Sequence, residues 1–283
     1  MEKHWTERFF IEKASLFRAR LEEMLEKTDE EIEGLLKIFS EHKIPKGGTI
    51  LDLACGIGRH STLLAEKGYK VTGVDISPTY IARARELASV KNVSKRVEFI
   101  VGDMRQVGEL LKDKEGSFDV VVNLFSSMGY WDEETDRQIF KQVCMLTKRG
   151  GVFIIHSANR DFLVRHFQTN DVTIGKDGLV MIVERRLDLE SSRMFNVWRY
   201  YNQRGDDLEH LSTFEIDHRV YSLHELKKQV EDGGWNFHSS YGGYELQPLT
   251  TDTFGMIVIG KKLHDRESNL NLVRMLEQGA HAC

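Results

Sequence analysis

Residues 49–77, TILDLACGIGRHSTLLAEKGYKVTGVDIS, decide the fold. Thr49 to Ala54 is a short, mostly apolar run closed by a small residue, as expected of a parallel strand buried on both faces. The turn Ala54-Cys55-Gly56-Ile57-Gly58 lets the backbone bend sharply and approach a ligand with few Cβ atoms in the way. A helix is predicted from about Arg59 to Lys67, stopped by Gly68. The second strand, Tyr69 to Val74, ends in Asp75, 19 residues after Gly56. An acidic side chain at that strand tip is placed to accept hydrogen bonds from ribose hydroxyls, so the ligand contains a nucleoside.

The turn separates the candidate cofactors. A dinucleotide site favours G-x-G-x-x-G, whereas here Ala54 holds the first glycine position and Arg59 the position three after Gly56, a poor match for NAD. The string Asp52-Leu53-Ala54-Cys55-Gly56-Ile57-Gly58 closely resembles motif I of class I S-adenosylmethionine-dependent methyltransferases, an acidic strand residue followed by G/A-x-G-x-G. A glycine-rich turn with no ligand is the competing reading of one motif alone, and further matches decide between them.

Composition narrows the classes. With 283 residues, 32.7 kDa and 41% apolar residues, the chain suits one large α/β domain with additions or two small ones. A formal charge of −5 and pI near 6.1 give no global basic field, which disfavours non-specific nucleic-acid binding. Cys55, Cys144 and Cys283 share no metal-like spacing and read as free thiols of a reducing cytoplasm. The start, MEKHWTERFF, lacks the apolar core of a secretion signal, and no run of 18 apolar residues occurs, so a soluble cytoplasmic protein with no membrane partner is expected.

Residues 1–45 show apolar spacing near i, i+3, i+4 and are expected to be a helical extension or lid, entered by the aromatic and basic His4-Trp5-Thr6-Glu7-Arg8-Phe9-Phe10, which reads as a closing flap or as a staple onto the core. Ser77-Pro78 starts a helix continuing through Val90, and the third strand, Arg96 to Val101, leads into Gly102-Asp103-Met104. The resemblance implies that Asp103 accepts the adenine exocyclic amine and that the next residue's backbone contacts the ring. Asp103 also suits an Asx turn or N-cap for the following helix. The fourth strand, Phe118 to Leu124, opens into Phe125-Ser126-Ser127-Met128-Gly129-Tyr130-Trp131, beyond a carboxyl strand end, where ligands of open α/β sheets bind. This loop lacks N-P-P-Y or D-P-P-Y, the signature of many enzymes acting on bases or glutamine amides. A helix from Glu133 to Thr147, the turn Lys148 to Gly151 and a fifth strand, Val152 to His156, complete the alternation of strands and helices. The resemblance covers about residues 45–160 and implies a cofactor set of Asp52, Ala54, Cys55, Gly56, Gly58, Arg59, Asp75, Ile76, Gly102, Asp103, Met104 and Leu124.

Residues 159–220 read as β-rich, an antiparallel insertion with Phe195, Trp198, Tyr200 and Tyr201 that suits a cap over the acceptor pocket or a solvent-facing or dimer-forming sheet. Ser222-Leu223-His224-Glu225 is a capping box, followed by strands at Trp235 to Tyr241 and Phe254 to Gly260. The expected fold is α/β, and the resemblance implies a Rossmann-like seven-stranded, mostly parallel sheet whose strand 7 runs antiparallel between strands 5 and 6, with a β insertion after strand 5. Residues 46–158 and 221–262 form the cofactor-binding core, and 263–283 a tail that reads as a surface helix or partner contact.

The implied activity is methyl transfer from S-adenosylmethionine, leaving S-adenosylhomocysteine, to nitrogen or oxygen of a small molecule without a metal. Phe125, Ser126, Ser127, Tyr130, Tyr201 and Tyr244 are expected at the acceptor, and His156 and Tyr130 are the candidates for a general base, although a histidine at a strand end also serves structure. Methylation of RNA or protein, or cofactor binding without catalysis, are the competing functions, and a homodimer is compatible with the insertion.

Overall fold

The computed structural model describes residues 3–175 and 178–263. The helical piece expected around Leu270 to Leu276, and Cys283, lie outside the described residues.

Five strands and the four helices between them build the core: β1 (Thr49–Leu53), α4 (Arg59–Glu66), β2 (Lys70–Asp75), α5 (Pro78–Val90), β3 (Val97–Val101), α6 (Val107–Leu110), β4 (Phe118–Asn123), α7 (Glu133–Leu146) and β5 (Thr147–Ala158). They follow an N-terminal extension of α1 (Trp5–Glu7), a π-helical turn at Arg8–Glu12, α2 (Ala14–Glu23), a 3-10 turn at Met24–Lys27 and α3 (Thr28–Glu41). After β5 come α8 (Arg160–Arg165), β6 (Asn170–Ile174), β7 (Leu179–Asp188), β8 (Arg193–Arg204), β9 (Asp207–Arg219), α9 (Leu223–Asp232), β10 (Asn236–Tyr241) and β11 (Gly255–Lys261).

The main sheet has the order β10-β11-β5-β4-β1-β2-β3, and β11 runs antiparallel to both β5 and β10, as the resemblance implies. Successive residues of a buried strand serve opposite faces. Ile50, Val120, Val122, Ile154 and Ile257 pack with α3, α4 and α5, while Leu51, Val121, Phe153, Ile155 and Val258 pack with α7 and α9. Each strand thus buries side chains on both faces, which is why β1 and β4 read as mostly apolar runs interrupted by Asp52 and Asp119.

β5 begins five residues before the predicted Val152, because the Lys148–Gly151 turn is a bulge within it: Phe118 opposes Thr147, and Val120 already opposes Val152. Gly150, at φ 80°, supplies the left-handed residue.

The insertion forms a second, antiparallel sheet ordered β6-β7-β8-β9. The N-terminal extension divides between the two sheets. Ile32, Leu35, Ile38 and Phe39 of α3 lie in the core of the main sheet, whereas Trp5 and Phe9 pack with Tyr200, Phe214 and Ile216 of the second.

Candidate active site

A cavity of about 1020 Å³ opens at the carboxyl ends of the parallel strands and is roofed by the second sheet and the N-terminal segment. Its floor is the β1–α4 turn, where Ala54, Gly56 and Gly58 hold φ of 60°, 56° and 74°. Asp75, at the tip of β2, accepts the Gly56 N–H at 2.9 Å through Oδ2 and the Ser77 N–H at 2.8 Å through Oδ1. Burial raises its carboxyl to about 6, against the pull of those two N–H groups. Asp52 accepts the Ser61 hydroxyl at 2.6 Å, and burial pushes its carboxyl upward as well.

The two glycines of the turn differ. A Cβ at Gly56 would meet only Leu21 Cδ1, at 3.6 Å, so the backbone is bare where a ligand would approach. A Cβ at Gly58 would stand 2.8 Å from both Ala84 Cβ and Phe99 Cζ. Gly58, also expected in the cofactor set, is thus a packing glycine and does not line the cavity. The others expected there, Asp52, Ala54, Cys55, Gly56, Arg59, Asp75, Ile76, Gly102, Asp103, Met104 and Leu124, all line it.

Asp103 accepts the Arg105 N–H at 2.9 Å and the Arg105 guanidinium at 2.9 and 2.6 Å. It caps the short turn that follows, as the Asx-turn reading expects, and it also lines the cavity. Arg59 is 4% exposed and donates through Nη1 to Thr28 Oγ1 at 3.0 Å and to Glu31. The Phe125 ring lies 5.3 Å from its guanidinium carbon, and Nη2 is buried without a hydrogen-bond partner. An orphaned cationic N–H beside a bare glycine turn fits S-adenosylmethionine, a nucleoside carrying an amino-acid arm.

The β4 loop is held in a strained shape. Phe125 and Ser126 both take positive φ, 61° and 59°, a conformation costing about 1–3 kcal/mol each for residues with a side chain. The strain is offset by fastening: the Ser126 N–H donates to His156 O at 2.9 Å, Ser126 Oγ accepts the Ala158 N–H at 2.8 Å, and Asn123 Nδ2 donates to Leu53 O at 3.1 Å and Ser127 O at 3.2 Å. Phe125, Ser126, Ser127, Tyr130 and His156 all line the cavity.

Tyr130 meets the Trp5 ring edge-on at 5.1 Å, and burial drives its phenol far above the ordinary range. Held protonated in this way, it is placed to donate a hydrogen bond into the cavity. His156 stands against Tyr244 at 4.7 Å between rings; burial lowers its imidazole to about 4, and Nδ1 has no hydrogen-bond partner. It is uncharged at neutral pH.

Two expected acceptor residues lie elsewhere. Tyr201 follows Tyr200 on β8 and projects from the opposite face, where its ring meets His210 at 5.4 Å. Tyr244 packs under α3, with its backbone against Gly34 and its hydroxyl buried and unpartnered. Neither lines the cavity. Conversely, Phe10, Phe17, Met181, Met194, Asn196 and His218 do. Their strand and helix alternation was legible, but which face would meet the cavity was not. Among the described residues no cluster of three or more His, Cys, Asp or Glu is placed to hold a metal ion, and no helix is long and apolar enough to cross a membrane.

A family model described as a methyltransferase domain matches residues 50–151. The chain is similar to "Putative methyltransferase YqeM" of Bacillus subtilis (strain 168), 37% identical over 121 residues that make up 42% of this chain and 46% of that one, about half the relative's length. It is also similar to a protein of Geobacillus sp. (strain WCH70) named as a putative methyltransferase, 31% identical over 178 residues, 59% of this chain and 68% of that one. Among solved structures, a S-adenosylmethionine-dependent methyltransferase from Clostridium acetobutylicum ATCC 824 superposes with TM-score 0.71 at 18% identity, covering 87% of this chain and 98% of that one, a likeness of fold.

Proposed function

Because this chain belongs to the class I S-adenosylmethionine-dependent methyltransferases, we propose that it methylates a nitrogen or oxygen of a small, flat, largely uncharged molecule held between the β4 loop and the second sheet. The observation that carries this reading is the cavity's roof. Trp5, Phe9, Phe10, Phe17 and Trp198 supply apolar and aromatic surface, and at about 1020 Å³ the space exceeds what one drug-sized ligand fills, roughly 300–1000 Å³, leaving room for an acceptor beside the cofactor. The charged side chains on the acceptor side are already paired: Arg185 with Asp171 at 3.0 Å, and Asp252 with Arg165 and His166 at 3.2 Å each. A polyanion such as RNA would find little uncompensated positive charge there.

The cofactor supplies a methyl group on a sulfonium sulfur, already activated for displacement. The protein's share is alignment and exclusion of water. Asp75 would hold the ribose and Asp103 the adenine amine, while Phe125 and Ser126 fix the loop between cofactor and acceptor. The β6–β9 sheet acts as a cap, and the α1 segment, with Trp5 on Tyr130, closes the remaining side. His156, uncharged at neutral pH and lining the cavity, is the side chain assigned to take the acceptor's proton.

Methyl transfer from radiolabelled S-adenosylmethionine to a panel of amines, phenols and heteroaromatic alcohols, run beside bulk RNA and protein extract, tests the reading. Labelling of a small acceptor is expected. Label entering only RNA or protein would overturn it.

A further inference from the structure

Glu31, on α3 of the N-terminal extension, touches no part of the cavity surface, yet it carries the charge that holds one wall of it. Its carboxylate accepts Arg59 Nη1 and, at 2.6 Å, a hydrogen bond from His60 Nε2. Arg59 and His60 open α4 directly after the glycine turn, and both line the cavity, 4% exposed each. Thr28, one turn earlier on α3, accepts from the same Nη1 at 3.0 Å and passes its own hydrogen to Met24 O at 2.9 Å. Burial opposes ionisation of Glu31, but the hydrogen bonds from His60 and Arg59 and the Arg59 charge outweigh it, and its carboxyl lies well below the usual range.

A buried guanidinium needs a counter-charge and five hydrogen-bond acceptors. Glu31 and Thr28 occupy Nη1, while Nη2 is buried with no partner. The α3 helix that delivers them is packed closely on the core, since a Cβ at Gly34 would collide with the backbone of Tyr244. The guanidinium is thus fixed on one edge, covered by Phe125, and unsatisfied on another. The ligand group that completes such an edge is a carboxylate, which guanidinium recognises best.

We propose that Glu31 is a positioning residue: it locks Arg59 so that Nη2 receives the carboxylate of the cofactor's amino-acid arm, making the N-terminal extension part of the cofactor site. This rests on the cofactor lying over the β1–α4 turn. The extension then has two duties. Its first segment faces the acceptor, and α3 serves the cofactor from behind the cavity wall.

Calorimetric binding of two ligands to the full chain separates the possibilities. S-adenosylhomocysteine carries the amino-acid arm; 5′-methylthioadenosine shares the nucleoside and sulfur but lacks it. Glu31→Gln should weaken S-adenosylhomocysteine at least tenfold and leave 5′-methylthioadenosine within twofold. Equal weakening of both, or no loss for S-adenosylhomocysteine, overturns the proposal, since a merely structural role would not discriminate between them. Should Glu31→Gln fail to fold, Glu31→Asp keeps the charge and withdraws the carboxylate from Arg59. It should show the same selective loss at smaller size, and an unselective change overturns the proposal equally. Asp75→Ala, which removes the group assigned to the shared ribose, should weaken both ligands. If it weakens neither, the placement of the cofactor fails; if it weakens both while the Glu31 variants spare S-adenosylhomocysteine, only the role of Glu31 fails.

Discussion

Asp75 accepts the backbone N–H of Gly56 at 2.9 Å, so the two ends of the spacing that marks the nucleoside site meet directly in space. The carboxylate is built into the turn it serves. Its raised value, about 6, has a consequence for ligand binding. In the proposed placement ribose hydroxyls would donate to the charged carboxylate, so binding should lower the Asp75 value and expel a proton when the pH lies below about 6. Affinity for S-adenosylhomocysteine should therefore fall as pH drops through 6, by up to about tenfold per pH unit. Calorimetry at three pH values in buffers of different ionisation enthalpy would show the released proton, and Asp75→Asn should bind more weakly and lose the pH dependence. In the ligand-free protein the sign is opposite: the folded state holds the proton more tightly than an exposed carboxyl of 3.8, so this group's contribution to stability is present at low pH and lost as pH rises toward 6.

Alanine at the two turn glycines should separate folding from binding. Gly58→Ala forces a Cβ to within 2.8 Å of Ala84 and Phe99 at a positive φ, and should cost about 2–4 kcal/mol of stability in denaturant titration. Gly56→Ala meets no atom nearer than 3.6 Å. It should lose only the strain of its φ, roughly 1 kcal/mol, while its methyl group obstructs the cofactor and lowers affinity far more than Gly58→Ala does.

Loss of His156 should act on chemistry. His156→Ala is expected to lower kcat by about a hundredfold or more with S-adenosylhomocysteine affinity unchanged. With the imidazole held near 4, the acid limb of the wild-type rate profile should sit well below the usual histidine value of 6.5. Turnover equal to wild type in the alanine variant would remove the base assignment.

Trp5 of α1 joins two other parts of the acceptor side: its indole N–H donates to Asp217 O at 3.0 Å on β9, and its ring meets Tyr130 on the β4 loop. Truncation to alanine opens the roof to water. Acceptor KM should rise about tenfold or more in steady-state kinetics, with cofactor affinity little changed, and Trp5→Phe should recover most of the loss because the ring, more than the N–H, fills the gap.

Much of the site was legible before any coordinates. Motif spacing places Asp52, Gly56, Asp75 and Asp103 because parallel strands fix where each βα turn falls, and a ligand at the carboxyl ends can only meet those turns. The expected residues that lie off the cavity share one cause. Gly58 and Gly56 look alike in the motif and differ only in what stands beside them, Phe99 against open space. Tyr201 was separated from the cavity by the alternation of a strand whose inward face could not be chosen without its partner sheet. Tyr244 was drawn off by α3, a helix more than two hundred residues away in the chain.

The sequence by itself determined the cofactor and the sheet that carries it, because both depend on local order: apolar runs, glycine turns and an acidic residue at a set distance. Only the tertiary structure decided what closes the site. The aromatic residues at 5–10 and the inward face of β7–β9 come from distant segments, and packing alone brings them around one cavity, with Glu31 of α3 behind its wall on Arg59.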